Sequence, residues 1–244
     1  MKNIYLLLTI FFLSTIANAQ WSQKGADIDG EAAEDQSGLR TGMSISADGN
    51  TIAIGAHKND GLALDAGHVR VYEWNNSAWI QKGADIDGEA ADDRSGYSVS
   101  LSTDGNTLAI GAVNNDGTAL DAGHVRIYEW SGSAWVQKGA DIDGEAAGDK
   151  SGWSVSLSAD GNTLAIGAPQ NDGTAVNAGH VRVYEWNGSI WVQKGADLDG
   201  ESPTDFSGAS ISLSTDGSTL AIGAANNDGT GSNAGHVRIY EWSG

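Results

Sequence analysis

The chain repeats itself every 56 residues, and nothing else in it restricts the fold as strongly. Trp74, Trp130, Trp186 and Trp242 fall at that spacing, as do His68, His124, His180 and His236. The segment GADIDGE starts at Gly25, Gly83 and Gly139 and returns as GADLDGE from Gly195. The first interval is 58 residues because residues 39–43 carry two extra positions. Periods of this length mark solenoids, propellers and arrays, in which a unit buries its apolar face only against a neighbour.

The third unit shows what is repeated. Residues 153–158 alternate apolar with small side chains, and Asp160-Gly161-Asn162 then supplies the positive φ that a tight hairpin needs. A second strand is predicted over residues 163–168, a polar loop over 170–179 and a third strand over 180–186. Asn187-Gly188 turns the chain into a fourth strand, residues 191–194. Val155, Leu157, Leu164 and Ile166 make one face bulky, whereas Ser154, Ser156, Ala165 and Gly167 leave the other nearly flat. Nesting bulky against flat, copy after copy, gives radially stacked sheets, which is a propeller. Helical solenoids are excluded because no segment has a 3.6-residue apolar period. Residues 21–24 read as a fourth strand and residues 236–242 as a third, so the two ends complement each other. The expected fold is all-β: a four-bladed β-propeller of four-stranded antiparallel blades over residues 20–244, closed by pairing of its N-terminal and C-terminal strands, with an open fragment or two chains sharing an eight-bladed ring as the alternatives.

Ahead of the repeats, Lys2 and an apolar run over residues 4–16 lead to Ala17-Asn18-Ala19. This is the pattern of a secretory signal peptide over residues 1–19, too short for a spanning helix, and it predicts a secreted or cell-surface protein beginning at Gln20. No second apolar span follows, so no membrane span is expected in the mature chain. There is no cysteine, which excludes disulfides and a cysteine-linked lipid anchor. The formal charge is −19, or −20 once Lys2 is removed, and such a surface repels nucleic acid and anionic lipid. Thirty-four glycines in an acidic chain would suit disorder, but nine tryptophans and regular β-branched alternation oppose it.

The run SGWSVSLSADGNTLAIGAPQNDG over residues 151–173 resembles the FG-GAP repeat of integrin α-chain propellers, and the likeness extends over all four units. Gly-Ala-Pro is complete only at Gly167-Ala168-Pro169, with His57, Val113 and Ala225 in the proline place elsewhere. Ser replaces Phe in Ser37-Gly38, Ser95-Gly96, Ser151-Gly152 and Ser207-Gly208, and four copies fall short of the seven blades usual in that family. The resemblance implies extracellular recognition and adhesion. The family's calcium loop lies between the first two strands, where this chain keeps only Asp48-Gly49, Asp104-Gly105, Asp160-Gly161 and Asp216-Gly217, so that site does not carry over.

Acidic motifs elsewhere offer a separate candidate for calcium. Each unit contains Asp-x-Asp-Gly-Glu, giving Asp27, Asp29 and Glu31; Asp85, Asp87 and Glu89; Asp141, Asp143 and Glu145; and Asp197, Asp199 and Glu201, with a further acid at Asp149 in the third. Hard oxygen ligands at alternate positions suit Ca²⁺, and solvated connector loops explain the same pattern. Asp60, Asp116, Asp172 and Asp228 sit in the polar loops, where they serve a turn or a ligand. The histidines that open the third strands are read either as metal ligands or as groups bonding the next blade. Tyr184, Trp186 and Trp191 are read as cross-strand pairs or a sugar platform. Breaks in the repetition stand out at residues 40–43, at His57 and Lys58, and at residues 202–206.

Fourfold repetition of nearly every acid and base leaves little room for a singular catalytic pair, so no enzymatic activity is expected. The expected function is a binding or adhesion module contacting an extracellular protein or glycan, as a monomer, with His57, Lys58, Asp60, Asp116, Asp172 and Asp228 as contact residues. A structural spacer, or a glycan-cleaving enzyme using paired carboxylates, are the alternatives.

Overall fold

A computed structural model describes residues 20–244; the expected signal peptide, residues 1–19, lies outside the described residues. Those residues form four antiparallel sheets and no helix. The first sheet contains β1 (Met43–Ile45), β2 (Thr51–Ala56), β3 (His68–Trp74), β4 (Trp79–Gln81) and β5 (Ile86–Asp87). The second has β6 (Ser95–Leu101), β7 (Thr107–Ala112), β8 (His124–Trp130), β9 (Trp135–Gln137) and β10 (Ile142–Asp143). The third has β11 (Ser154–Leu157), β12 (Thr163–Ala168), β13 (His180–Trp186), β14 (Trp191–Gln193) and β15 (Leu198–Asp199). The fourth keeps only β16 (Ser207–Leu213), β17 (Thr219–Ala224) and β18 (His236–Glu241).

Within a complete sheet the order follows the chain, and the outer edge is one strand interrupted near its middle. In the third sheet, Tyr184 to Trp186 of β13 pair with β14, while His180 and Val181 pair with β15. The alternating pattern explains how one sheet stacks on the next. Registers Leu101↔Leu108 and Val99↔Ile110 put four bulky residues of the second sheet on one face. Ala109↔Ile127 and Gly111↔Val125 line the other face. The bulky face meets Ala53, Val69 and Val71 of the first sheet, and the smaller-residue face meets Leu157, Leu164 and Ile166 of the third. Apolar burial of this kind stabilises by about 25 cal/mol per Å², so each sheet depends on its neighbours. The architecture is all-β and propeller-like.

Each seam also makes the same polar bonds. The amide of Leu101 donates to Ser44 Oγ at 2.9 Å, that of Leu157 to Ser100 Oγ at 3.0 Å and that of Leu213 to Ser156 Oγ at 3.0 Å. Ala47 donates to the Thr103 carbonyl, Thr103 to Ala159 and Ala159 to Thr215. Glycine is required where backbones cross: a Cβ on Gly55, Gly111 or Gly167 would fall on the carbonyl of Gly96, Gly152 or Gly208 in the next sheet.

The expected closure is corrected by the structure. Residues 21–24 are not paired with β18, and Trp21 is fully exposed (103%). The reason is local: the first sheet already holds this segment. Lys24 Nζ donates to the Gly49 carbonyl at 2.7 Å, Trp79 Nε1 donates to the Lys24 carbonyl at 2.8 Å and Arg70 donates to the Asp29 carbonyl at 2.7 Å. The fourth sheet therefore keeps a free outer edge.

Candidate functional site

Two of the three breaks in the repeat converge, and residues 202–206 lie elsewhere. His57 and Lys58 follow β2, Arg40 lies in the two-residue insertion, and Arg94 and Lys150 occupy equivalent positions ahead of β6 and β11. With Tyr97 and Trp153 they line a cleft of 480 Å³ that no carboxylate lines. Four cations meet there in a chain of thirteen, against thirty-two acids.

Local geometry fixes these side chains. Arg40, Arg94 and Lys150 each take a left-handed backbone, with φ of 57°, 59° and 58°, which turns the chain sharply at the seam. Tyr97 packs between His57 and Trp153, with ring centroids 5.5 Å and 4.9 Å away, and the Arg40 guanidinium stands 5.9 Å from its ring. Lys150 Nζ contacts Asp121 at 2.8 Å and donates to Asn114 Oδ1 at 2.9 Å. Arg94 Nε is buried without a partner. Burial, reinforced by Arg94, Lys58 and Arg40, holds the His57 imidazole below its ordinary pKa. Burial pushes the Tyr97 phenol up, against the pull of Arg40 and Arg94. The cleft thus offers positive charge, a neutral imidazole and stacked aromatic faces, a set suited to an anionic ligand with a planar or sugar-like body.

The predicted loop aspartates lie elsewhere. Asp60, Asp116, Asp172 and Asp228 are exposed, and each Oδ1 accepts the backbone amide five residues on, at 2.8, 2.7, 2.7 and 2.6 Å. They staple their own loops.

Acidic motifs do come together, but between consecutive copies rather than inside one. Glu31, His68 and Asp85 form a cluster, as do Glu89, His124 and Asp141, and Glu145, His180 and Asp197. His68 Nδ1 stands 3.8 Å from Glu31 and 3.9 Å from Asp85. In the fourth copy, Glu201 lies 3.8 Å from His236, with no third member among the described residues. Arg70, Arg126 and Arg182 stand 3.5–3.6 Å from the glutamates. The first aspartates Asp27, Asp85, Asp141 and Asp197 accept from Gln23, Gln81, Gln137 and Gln193. The second aspartates Asp29, Asp87, Asp143 and Asp199 present their carbonyls to Arg70, Arg126, Arg182 and Arg238. One imidazole nitrogen with two carboxylates is a donor set for a borderline transition ion, whereas Ca²⁺ takes six to eight oxygens. Burial, then Arg126, holds the His124 imidazole down to about 4.

The tryptophans form the hairpin pairs Trp74–Trp79, Trp130–Trp135 and Trp186–Trp191, with centroids 5.4–5.5 Å apart. Sequence reasoning missed their partner. Lys82 stands 5.3 Å and 5.6 Å from the rings of Trp130 and Trp135, and Lys138 repeats this at the next seam. A lysine recurring once per unit, at Lys24, Lys82 and Lys138, was the available signal.

Comparison with known proteins supplies a fold and a repeat family. No curated protein is significantly similar in sequence. The crystal structure of a Bacteroides uniformis protein assigned by name as a 6-phosphogluconolactonase is similar with a TM-score of 0.55 and 13% identity. The likeness covers 82% of this chain and 49% of that one, so this chain spans about half its length. It corrects the expectation of no enzymatic activity, because the scaffold is shared with a protein assigned as an enzyme. The FG-GAP repeat model matches residues 140–184. That match is to one unit, and the sequence of the unit recurs along the chain at 56-residue spacing.

Proposed function

We propose that this chain is an exported binding module that captures an anionic carbohydrate, free or on a glycan, in the cleft between the first three sheets. The observation that carries the reading is the convergence of Arg40, Lys58, Arg94 and Lys150 on the Tyr97 and Trp153 rings, in a chain of formal charge −19. Long-range repulsion by the acidic body would reject anions, so a cationic cleft selects ligands that can enter it and pair. The name of the structural neighbour refers to a phosphorylated sugar lactone, whose charge and size agree with this chemistry. Each sheet is read as one blade, four to a chain, the last blade lacking its outer strand. The Ala-Asn-Ala leader motif supports reading the module as a secreted or surface protein.

Calorimetry with glucose 6-phosphate, glucuronate and glucose tests the reading. The two acidic sugars are expected to bind and glucose to give no heat. Arg94→Gln and Lys58→Ala should each weaken binding about tenfold, the loss expected for one charge-assisted contact. Absence of heat from both acidic sugars, or affinity indifferent to both substitutions, would sink it.

A further inference from the structure

Among the described residues both ends of the stack are uncovered, and they match. On the fourth sheet Val237 and Ile239 are 66% and 72% exposed, while their counterparts Val125 and Ile127 in the second sheet are fully buried. A groove of 590 Å³ runs over this face, lined by Ala221, Gly223 and Val237 among others. On the first sheet Met43 and Ile45 are 54% and 56% exposed, while Val99 and Leu101, their counterparts, are buried. One end is the smaller-residue face of a seam and the other end is the bulky face.

The polar groups match in the same register. Ser44, Ser100 and Ser156 each accept an amide from the next sheet, and Ser212 is the fourth in that series. The amides of Ala47, Thr103 and Ala159 each donate across a seam, whereas the Thr215 amide makes no such bond. Gly223 has only Ser210 near its would-be Cβ, though Gly55, Gly111 and Gly167 each meet a carbonyl of the following sheet. Most telling is the N-terminal segment. Lys24 sits on Gly49 and Asn50, as Lys82 sits on Gly105 and Asn106. Trp79 donates to the Lys24 carbonyl as Trp135 does to Lys82, and Arg70 donates to Asp29 as Arg126 does to Asp87. Residues 24–29 already stand where the outer strand of a preceding blade would stand.

We propose that two copies of this chain join head to tail into one ring, the first sheet of each covering the fourth sheet of the other and residues 21–29 of each completing the other's last blade. The inference rests on reading each sheet as a blade, and is independent of the ligand. Val237 and Ile239 of one copy pack against Met43 and Ile45 of the other, the contact that every inner seam makes. The Ile45 amide donates to Ser212 Oγ of the other copy, and the Thr215 amide donates to the Ala47 carbonyl. Asp27 of one copy joins Glu201 and His236 of the other, as Asp85 joins Glu31 and His68 within a chain. Two copies are argued by length: the 82% of this chain that aligns with the solved structure spans 49% of that chain, about half of it. Such a joint is heterologous, and closes only if the rotation adds up.

Sedimentation and light scattering on the full purified chain are expected to give twice the chain mass. Val237→Asp with Ile239→Asp, and separately Ile45→Asp, should each give a monomer with unchanged circular dichroism, since these side chains are exposed in a single chain. Mixing the two variants should restore a dimer, because one sound joint remains. Gly223→Ala, a single methyl on the open face, keeps the test valid if the charged variants misfold, and should weaken dimerisation about tenfold or more. A wild-type monomer at every concentration, a ladder of longer assemblies, or a dimer untouched by Gly223→Ala would overturn the proposal.

Discussion

At the scale of single residues, a few atoms decide whether adjacent sheets can meet. Gly111 is the sharpest case, because a Cβ there lands on the Gly152 backbone carbonyl, which cannot rotate away. Gly111→Ala is therefore expected to destabilise the chain by about 2–3 kcal/mol through overpacking, read by denaturant unfolding. His124 sets a pH dependence. Its folded pKa of about 4 lies below the ordinary histidine value of 6.5, so between these the unfolded chain binds more protons. Its contribution is complete above pH 6.5 and is lost as pH falls toward 4; burial moves His180 in the same direction. The groups facing His124 are Arg126, Glu89, Asp93, Asp141 and Asp143. The melting temperature should fall over this window, and His124→Gln should make the fall shallower; an unchanged slope would refute the assignment.

At the scale of elements, the turn chemistry and the period made most of the strands readable. The second and third strands of the third unit fall where alternation places them, at Thr163–Ala168 and His180–Trp186. What escaped was β5, β10 and β15, each two residues long, too short to show a period of two. Ile86 between Asp85 and Asp87 was the trace of such a strand, hidden inside what reads as an acidic loop. The same blindness applies to the site: His57 and Lys58 were visible as breaks in the repeat, but Arg94 and Lys150 were not, because only folding brings the variable positions of three units together. The fourth acid of the motif proved to be a connector. Asp93 is buried and accepts from the Ala90 amide at 2.9 Å and from Asn115 Nδ2 at 3.0 Å, tying two loops together. Asp93→Ala should cost about 2–3 kcal/mol, since it strands a buried amide. Asp116→Ala, which loosens only an exposed loop, should cost about 0.5 kcal/mol or less. Equal losses in thermal melts would show that the two aspartates had been wrongly distinguished.

For the whole molecule, stability is a sum over seams, and a sheet covered on one side only is the weakest term. In a chain held monomeric by Val237→Asp and Ile239→Asp, the amides of β18 should exchange with solvent at least about tenfold faster than those of β8 and β13. Comparable protection in all three strands would mean that some other part of the chain covers the last sheet.

The seams have one further consequence. Because serine, glycine and carbonyl recur in the same places at every junction, losing or gaining one stretch of 56 residues leaves every remaining junction chemically sound. Ring size can thus change by copying alone, without inventing a single new contact. What makes one such protein different from another is then confined to the handful of positions that copying has not kept alike, several of which here face a shared cleft.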